Sequence, residues 1–276
     1  MRFVKQLLAV VAVTVVGGLS AAAVEGNFFL TLVIGAVTAV LGVIVYRWVV
    51  RRTEHREPAE LGLDGWGGRL GRGTLIGLAM FAAVIANIAF LGGYDVTGWG
   101  SPTGALGLLG FMAAAAVTEE LLFRGVLFRI IEERAGTWIA LALTGVVFGA
   151  MHLANPDATV WGATAIAIEA GFMLAACYAA TRNLWVPIGL HFGWNFAAGG
   201  IFSVAVSGNG ESKGILEAST SGPVALSGGA FGPEGSLYAV LGGVVLTVVF
   251  LWLAKRRGHI VPRRTAQAEA TATVTP

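Results

Sequence analysis

Glu119, Glu120, His152 and His191 stand inside stretches otherwise built from Ala, Gly, Leu, Val and Phe. Carrying a charged group into hydrocarbon costs roughly 2.5–3.5 kcal/mol on insertion scales, so such residues face a cavity or one another and mark a function. In AAAAVTEELLFRGVLFRIIEER, Arg124 follows Glu120 by one helical turn. This i,i+4 spacing lets the guanidinium hold the Glu120 carboxylate ionised. Glu119 points about 100° away around the same helix, which leaves an unpaired carboxylate able to act as a general base. A purely structural Glu–Arg pair is the competing reading.

His152 ends the apolar run TWIALALTGVVFGAMHLANP. Gly136 is a helix terminator, so the Glu119 segment and the His152 segment are expected to form an antiparallel hairpin. Glu119 lies about 17 residues before that turn and His152 about 16 after it, which predicts a carboxylate and an imidazole at one depth. In LWVPIGLHFGWNFAAGG, His191 and Asn195 are four apart and share a helix face. Together they can donate hydrogen bonds to a developing oxyanion, and Pro187, one turn earlier, is expected to kink the helix nearby. Glu169 is a further carboxylate in an apolar stretch, read either as support for the site or as the partner of another polar group. A Glu with two His also matches an open three-ligand zinc site, with Glu119, His152 and His191 as ligands. His55 and His259, in basic segments, are expected to be solvated.

These residues need elements that cross a membrane. The 276 residues are 56% hydrophobic and 12% charged, against about a quarter charged in soluble domains. At about 20 apolar residues per span, the fold class is an all-α polytopic bundle of about eight spans: 6–23, 28–50, 74–92, 104–123, 137–154, 160–180, 184–206 and 236–254. The 40 glycines fall largely within these runs and serve close helix packing. Placing both termini in the cytoplasm puts every Lys and Arg except Lys213 on the inner side, as the positive-inside rule requires. The net charge of +2 therefore reports orientation, and no nucleic-acid partner is expected. Cys177, the single cysteine, supports neither a disulfide nor a cysteine metal site and reads as a small buried residue.

The organisation is accordingly two N-terminal spans (1–50), a basic cytoplasmic loop (51–73), a core (74–206), an outer Gly/Ser-rich loop (207–235), a last span (236–254) and a cytoplasmic tail (255–276) with nothing to bury. Leu61, Leu63, Trp66 and Leu70 of the basic loop are expected at the headgroup surface. The start of the chain also fits a secretory signal peptide. The outer loop is expected to be either functional, as a lid or re-entrant segment, or disordered.

Glu119-Glu120-x-x-x-Arg124, Phe148-x-x-x-His152 and His191-x-x-x-Asn195, in that order on separate spans, resemble the CPBP intramembrane protease family. This is the Abi group, with the type II CAAX prenyl proteases and bacteriocin self-immunity proteins. The resemblance covers residues 104–206. It implies that Glu119 and His152 activate a water, that His191 and Asn195 support the oxyanion, and that Glu120 and Arg124 order the site. The implied substrate is a membrane protein or lipidated peptide, in a bacterial cell membrane. The family has been described both as metalloproteases and as metal-independent glutamate proteases; Asn195 beside His191 favours the reading without a cofactor, with zinc as the alternative. A non-catalytic immunity or peptide-binding protein is the second reading. A proton-coupled transporter is the third, although no internal symmetry of halves is seen.

Overall fold

In the computed structural model, which describes residues 1–210 and 212–263, the chain is an all-α bundle. Its helices are α1 (Arg2–Ala22), α2 (Phe28–Glu54), α3 (Trp66–Phe90), α4 (Pro102–Ala135), α5 (Thr137–Ala154), α6 (Val160–Thr181), α7 (185–201) and α8 (Leu237–Arg256). Among the described residues seven of these are long and apolar enough to cross a membrane. The exception is α7, where an eighth full span over 184–206 was expected. It has 11 α-helical residues, Trp185–Asn195, followed by six π-helical ones, Phe196–Ile201, and so falls short of the usual span length. It lies within the bundle, with Leu190, Ala197 and Ala198 fully buried.

Helix starts at one end of the bundle are capped by short polar side chains. Asn27 accepts from the Leu30 N–H at 3.1 Å, Ser101 from Gly104 at 2.9 Å, Thr159 from Gly162 at 2.8 Å and Ser236 from Ala239 at 3.2 Å. Each satisfies an N–H that the first turn leaves unpaired. Basic residues occupy the last turns at the opposite end, Arg51 and Arg52 on α2 and Lys255 and Arg256 on α8, where they meet the negative end of the helix dipole.

Between α3 and α7 the packing rests on two facing pairs of glycines. A Cβ on Gly73 or Gly77 would lie 2.1 Å from the Val186 carbonyl oxygen or 2.2 Å from that of Leu190. A Cβ on Gly189 or Gly193 would lie 2.1 Å from the Leu70 oxygen or 2.2 Å from that of Thr74. With little hydrophobic drive between helices in lipid, such backbone contact is what holds them together, and here it fixes the helix that carries His191 and Asn195.

The basic end is closed by buried polar networks. Arg129 donates to both oxygens of Glu54 at 2.7 and 2.9 Å and to Gln6 at 2.9 Å. Arg56 bridges Glu54 at 2.6 Å and Glu60 at 2.9 Å, and the Tyr46 hydroxyl reaches Glu60 at 2.7 Å. Nearby, Arg182 pairs with Glu132, and Val261 returns to Thr137 at 2.8 Å. Two expectations fail here. His259 is not freely solvated, since its Nδ1 lies 3.0 Å from the Ala180 carbonyl; His55 is exposed at the C-terminus of α2. Leu61 is fully buried, while Leu63 and Trp66 are exposed. α1 belongs to the bundle: Gln6 is buried and donates to Thr53 and Glu54 at 2.8 Å.

At the other end, β1 (Tyr94–Trp99) pairs antiparallel with β2 (Leu216–Thr220), with a register irregularity between Val96 and Gly98. The segment expected as a loop over 207–235 thus carries a strand, a helical turn at Val224–Ser227 and buried side chains at Ser207, Phe231 and Glu234. The expected cytoplasmic tail beyond residue 263 lies outside the described residues.

Two outcomes follow from this packing. Gly77→Ala must push α3 from α7; it should cost about 1–3 kcal/mol, read as a lower unfolding temperature in detergent. Burial opposes ionisation of Glu60, but the Arg56 and Tyr46 hydrogen bonds outweigh it and hold this carboxyl below its ordinary value of 4.5. A depressed folded-state value contributes stability that is present above the ordinary value and lost as pH falls below it. The unfolding temperature should therefore drop on acidification below about 4.5, and Glu60→Gln should flatten that dependence while lowering stability at pH 7.

Candidate active site

The two adjacent glutamates differ in environment, as helix phase requires. Glu120 is fully buried, and its Oε1 accepts from Arg124 Nη1 at 2.7 Å and faces His191 Nδ1 at 3.1 Å. Arg124, also fully buried, turns its other terminal nitrogen to the carbonyls of Ala170 and Gly171 at 3.2 and 2.9 Å. Its guanidinium carbon stands 4.8 Å from the centre of the Phe148 ring, a cation–π contact. Glu119 instead points into a cavity of about 900 Å³, with 30% of its side chain exposed and Oε2 3.9 Å from His191 Nε2.

His152 and Asn195 line the same cavity. The His152 Nδ1 lies 2.8 Å from the Phe148 carbonyl oxygen. A carbonyl only accepts, so Nδ1 carries the hydrogen and Nε2 keeps a lone pair. The Phe148 ring packs against both imidazoles, with centroids 5.0 Å from the His152 ring and 6.0 Å from that of His191. The hairpin through Gly136, whose φ is +84°, joins the helices of Glu119 and His152, which line one cavity, while the ion pairs of the two glutamates with histidine are both with His191. The imidazole close to both glutamates is His191.

Local backbone accounts for part of this geometry. π-Helical turns span Leu121–Phe128 directly after the glutamates, Ala167–Phe172 around Glu169, and Phe196–Ile201 directly after Asn195. Such wide turns recur at functional sites because they re-aim side chains and free carbonyls. The expected kink at Pro187 is absent as a local feature: Pro187 is the third residue of α7, where a missing N–H costs nothing. Glu169 is fully buried, neither oxygen has a partner among the described residues, and it does not line the cavity; its backbone packs where a Cβ on Gly243 would come within 2.3 Å. Cys177 is buried and free.

Sequence reasoning missed Glu234. It is 1% exposed, accepts from Trp194 Nε1 at 2.7 Å and from the Ser207 hydroxyl at 3.0 Å, and lines the cavity. Burial raises its carboxyl, partly offset by the Trp194 and Ser207 hydrogen bonds. Its setting, Gly-Pro-Glu-Gly in a polar loop, offers no periodic signal. Trp194, between His191 and Asn195, is the one hint.

For a metal, Glu119 and His191 approach each other, but among the described residues no three His, Cys, Asp or Glu side chains converge as a ligand set. The third proposed ligand, His152, packs against Phe148 and does not complete the set.

Comparison with known proteins covers the same stretch. Residues 101–197 match the family model described as type II CAAX prenyl endopeptidase Rce1-like. YdiL of Bacillus subtilis, itself assigned only provisionally as a membrane peptidase, is 31% identical over 77 residues, which is 28% of this chain and 29% of YdiL. No solved structure matches. The matched region holds all of Glu119, Glu120, Arg124, His152, His191 and Asn195, and over residues 101–197 the chain is similar to the Rce1-like, type II CAAX prenyl endopeptidase family.

Proposed function

We propose that the protein is an intramembrane endopeptidase that cuts a membrane-associated polypeptide with a water activated by Glu119 and His152. The observation that carries this reading is the division of labour between the glutamates: Glu120 is committed to Arg124 and His191, while Glu119 faces the cavity. A water between the Glu119 carboxylate and the lone pair on His152 Nε2 would give its proton to Glu119 as its oxygen attacks the peptide carbonyl carbon. The carbonyl oxygen becomes an oxyanion. Asn195, whose carboxamide lines the cavity, and the Nε2–H of His191 in its imidazolium form, with Nδ1–H held by the Glu120 carboxylate, would donate to it. Glu119 then passes its proton to the leaving nitrogen, and the C–N bond breaks. Arg124 acts as a positioning residue through Glu120.

No metal enters this scheme, because the donor set lacks a third converging ligand and the carboxamide of Asn195 is a better hydrogen-bond donor than a zinc ligand. The substrate class, a membrane protein or a lipidated peptide, rests on the family's printed description. The setting we propose is a bacterial cell membrane with both termini in the cytoplasm, an orientation that the basic helix ends support.

Hydrolysis of membrane-anchored peptides in proteoliposomes, read by mass spectrometry, tests the scheme. Glu119→Gln should lower the rate by about 10²–10⁴-fold with an unchanged unfolding temperature, and Asn195→Ala by about 10²–10³-fold. Undiminished cleavage by folded Glu119→Gln would sink the proposal. Glu120→Gln should behave differently and lose about 3–5 kcal/mol of stability, because it leaves the Arg124 charge buried without its partner.

A further inference from the structure

The cavity is directional. From Glu119 it follows one stripe of α4, through Ala115, Met112, Leu108 and Gly104 to Ser101. That is successive i,i+3 and i,i+4 spacing, hence a single helix face. Eighteen positions of rise come to about 27 Å, close to the roughly 30 Å of a bilayer core. The stripe ends at the rim with Glu25, Asn209 and Lys213, beside the β1–β2 hairpin.

No lining residue comes from 47–72, 129–137 or 255–263. Those segments form the basic end, closed by the Arg129–Glu54, Arg56–Glu60 and Arg182–Glu132 pairs. Below Glu119 the passage is sealed by the buried Glu120–Arg124 pair and by Phe123. Among the described Lys and Arg, Arg124 is buried within α4 and only Lys213 lies at the open end. Short segments rich in Lys and Arg stay in the cytoplasm. The charge asymmetry and the cavity therefore point in opposite directions.

We propose that the cavity opens on the extracytoplasmic face and admits polypeptide segments presented there, such as those of exported or membrane-anchored proteins. This deepens the protease reading and rests on it for the cutting step. A cytoplasmic C-terminus, including a CAAX-type one, would have no path to Glu119 from the closed basic end.

Thiol labelling decides the matter without requiring activity. The native Cys177 is buried, so introduced cysteines are read against a low background. Asn209→Cys and Asp95→Cys probe the exposed rim, Leu108→Cys probes the stripe halfway to Glu119, and Asp64→Cys probes the exposed basic end. In intact cells, a small membrane-impermeant charged thiosulfonate should modify the first three, while Asp64→Cys should react only after permeabilisation. Protection of both rim variants in intact cells, with labelling of Asp64→Cys, would overturn the proposal. So would a Leu108→Cys that stays unreactive while the rim sites label. An active Glu119→Gln enzyme would end the protease reading yet leave this labelling pattern unchanged, so the two ideas fail separately.

Discussion

A carboxylate buried in the middle of a membrane protein must be neutralised locally, and Glu120 is where this chain meets that requirement. One oxygen takes both the Arg124 guanidinium at 2.7 Å and the His191 imidazole at 3.1 Å. Because Arg124 also needs acceptors, it draws on the carbonyls of Ala170 and Gly171, which lie in the π-helical stretch of α6 where the regular ladder is interrupted. One ion pair thereby ties α4, α6 and α7 together. Breaking a buried pair costs far more than forming it gains, so these three helices are locked into one arrangement. The orientation of His191 is a by-product of that lock.

The second constraint is backbone contact. α7 is short and unusually buried, and the two glycine pairs against α3 set how close it comes. With that approach fixed, Trp194 faces the outer segment and His191 faces α4, while Asn195 stands at the start of a π-helical turn. Electrostatics sets the rotation of the site's imidazole, and sterics set the depth and spacing of the helix that carries it.

Much of the site was legible in the sequence because charge in an apolar run is a loud signal. The i,i+4 relation of Glu120 and Arg124, the different facing of Glu119, and the sharing of a face by His191 and Asn195 all follow from a 3.6-residue period. What sequence could not show came from places where that period fails. π-Helical turns leave no compositional mark in LLFRGVLF or FAAGGI. The hairpin arithmetic predicted one depth for Glu119 and His152, which do line one cavity, but it could not reveal that the Phe148 ring packs against both imidazoles. In the fold, counting apolar residues overextended α7, since its flanks Phe202–Val206 are apolar yet non-helical. Reading Pro187 as a kink overlooked that it opens the helix.

The outer segment shows why a polar, Gly/Ser-rich composition is a poor guide to structural irrelevance. Glu234 is buried with Trp194 and Ser207 as partners, and these donors offset the cost of burying its carboxyl. The Trp194 indole is thus anchored on one side by Glu234 and packed edge-on against Phe81 of α3 at 5.0 Å on the other. Since Trp194 lies between His191 and Asn195, the same contacts that seat it restrict rotation of α7 about its own axis. The segment that looks most like a loose connection therefore holds the site helix about one turn from the His191 contact with the Glu120–Arg124 pair, and α7 is fixed by both.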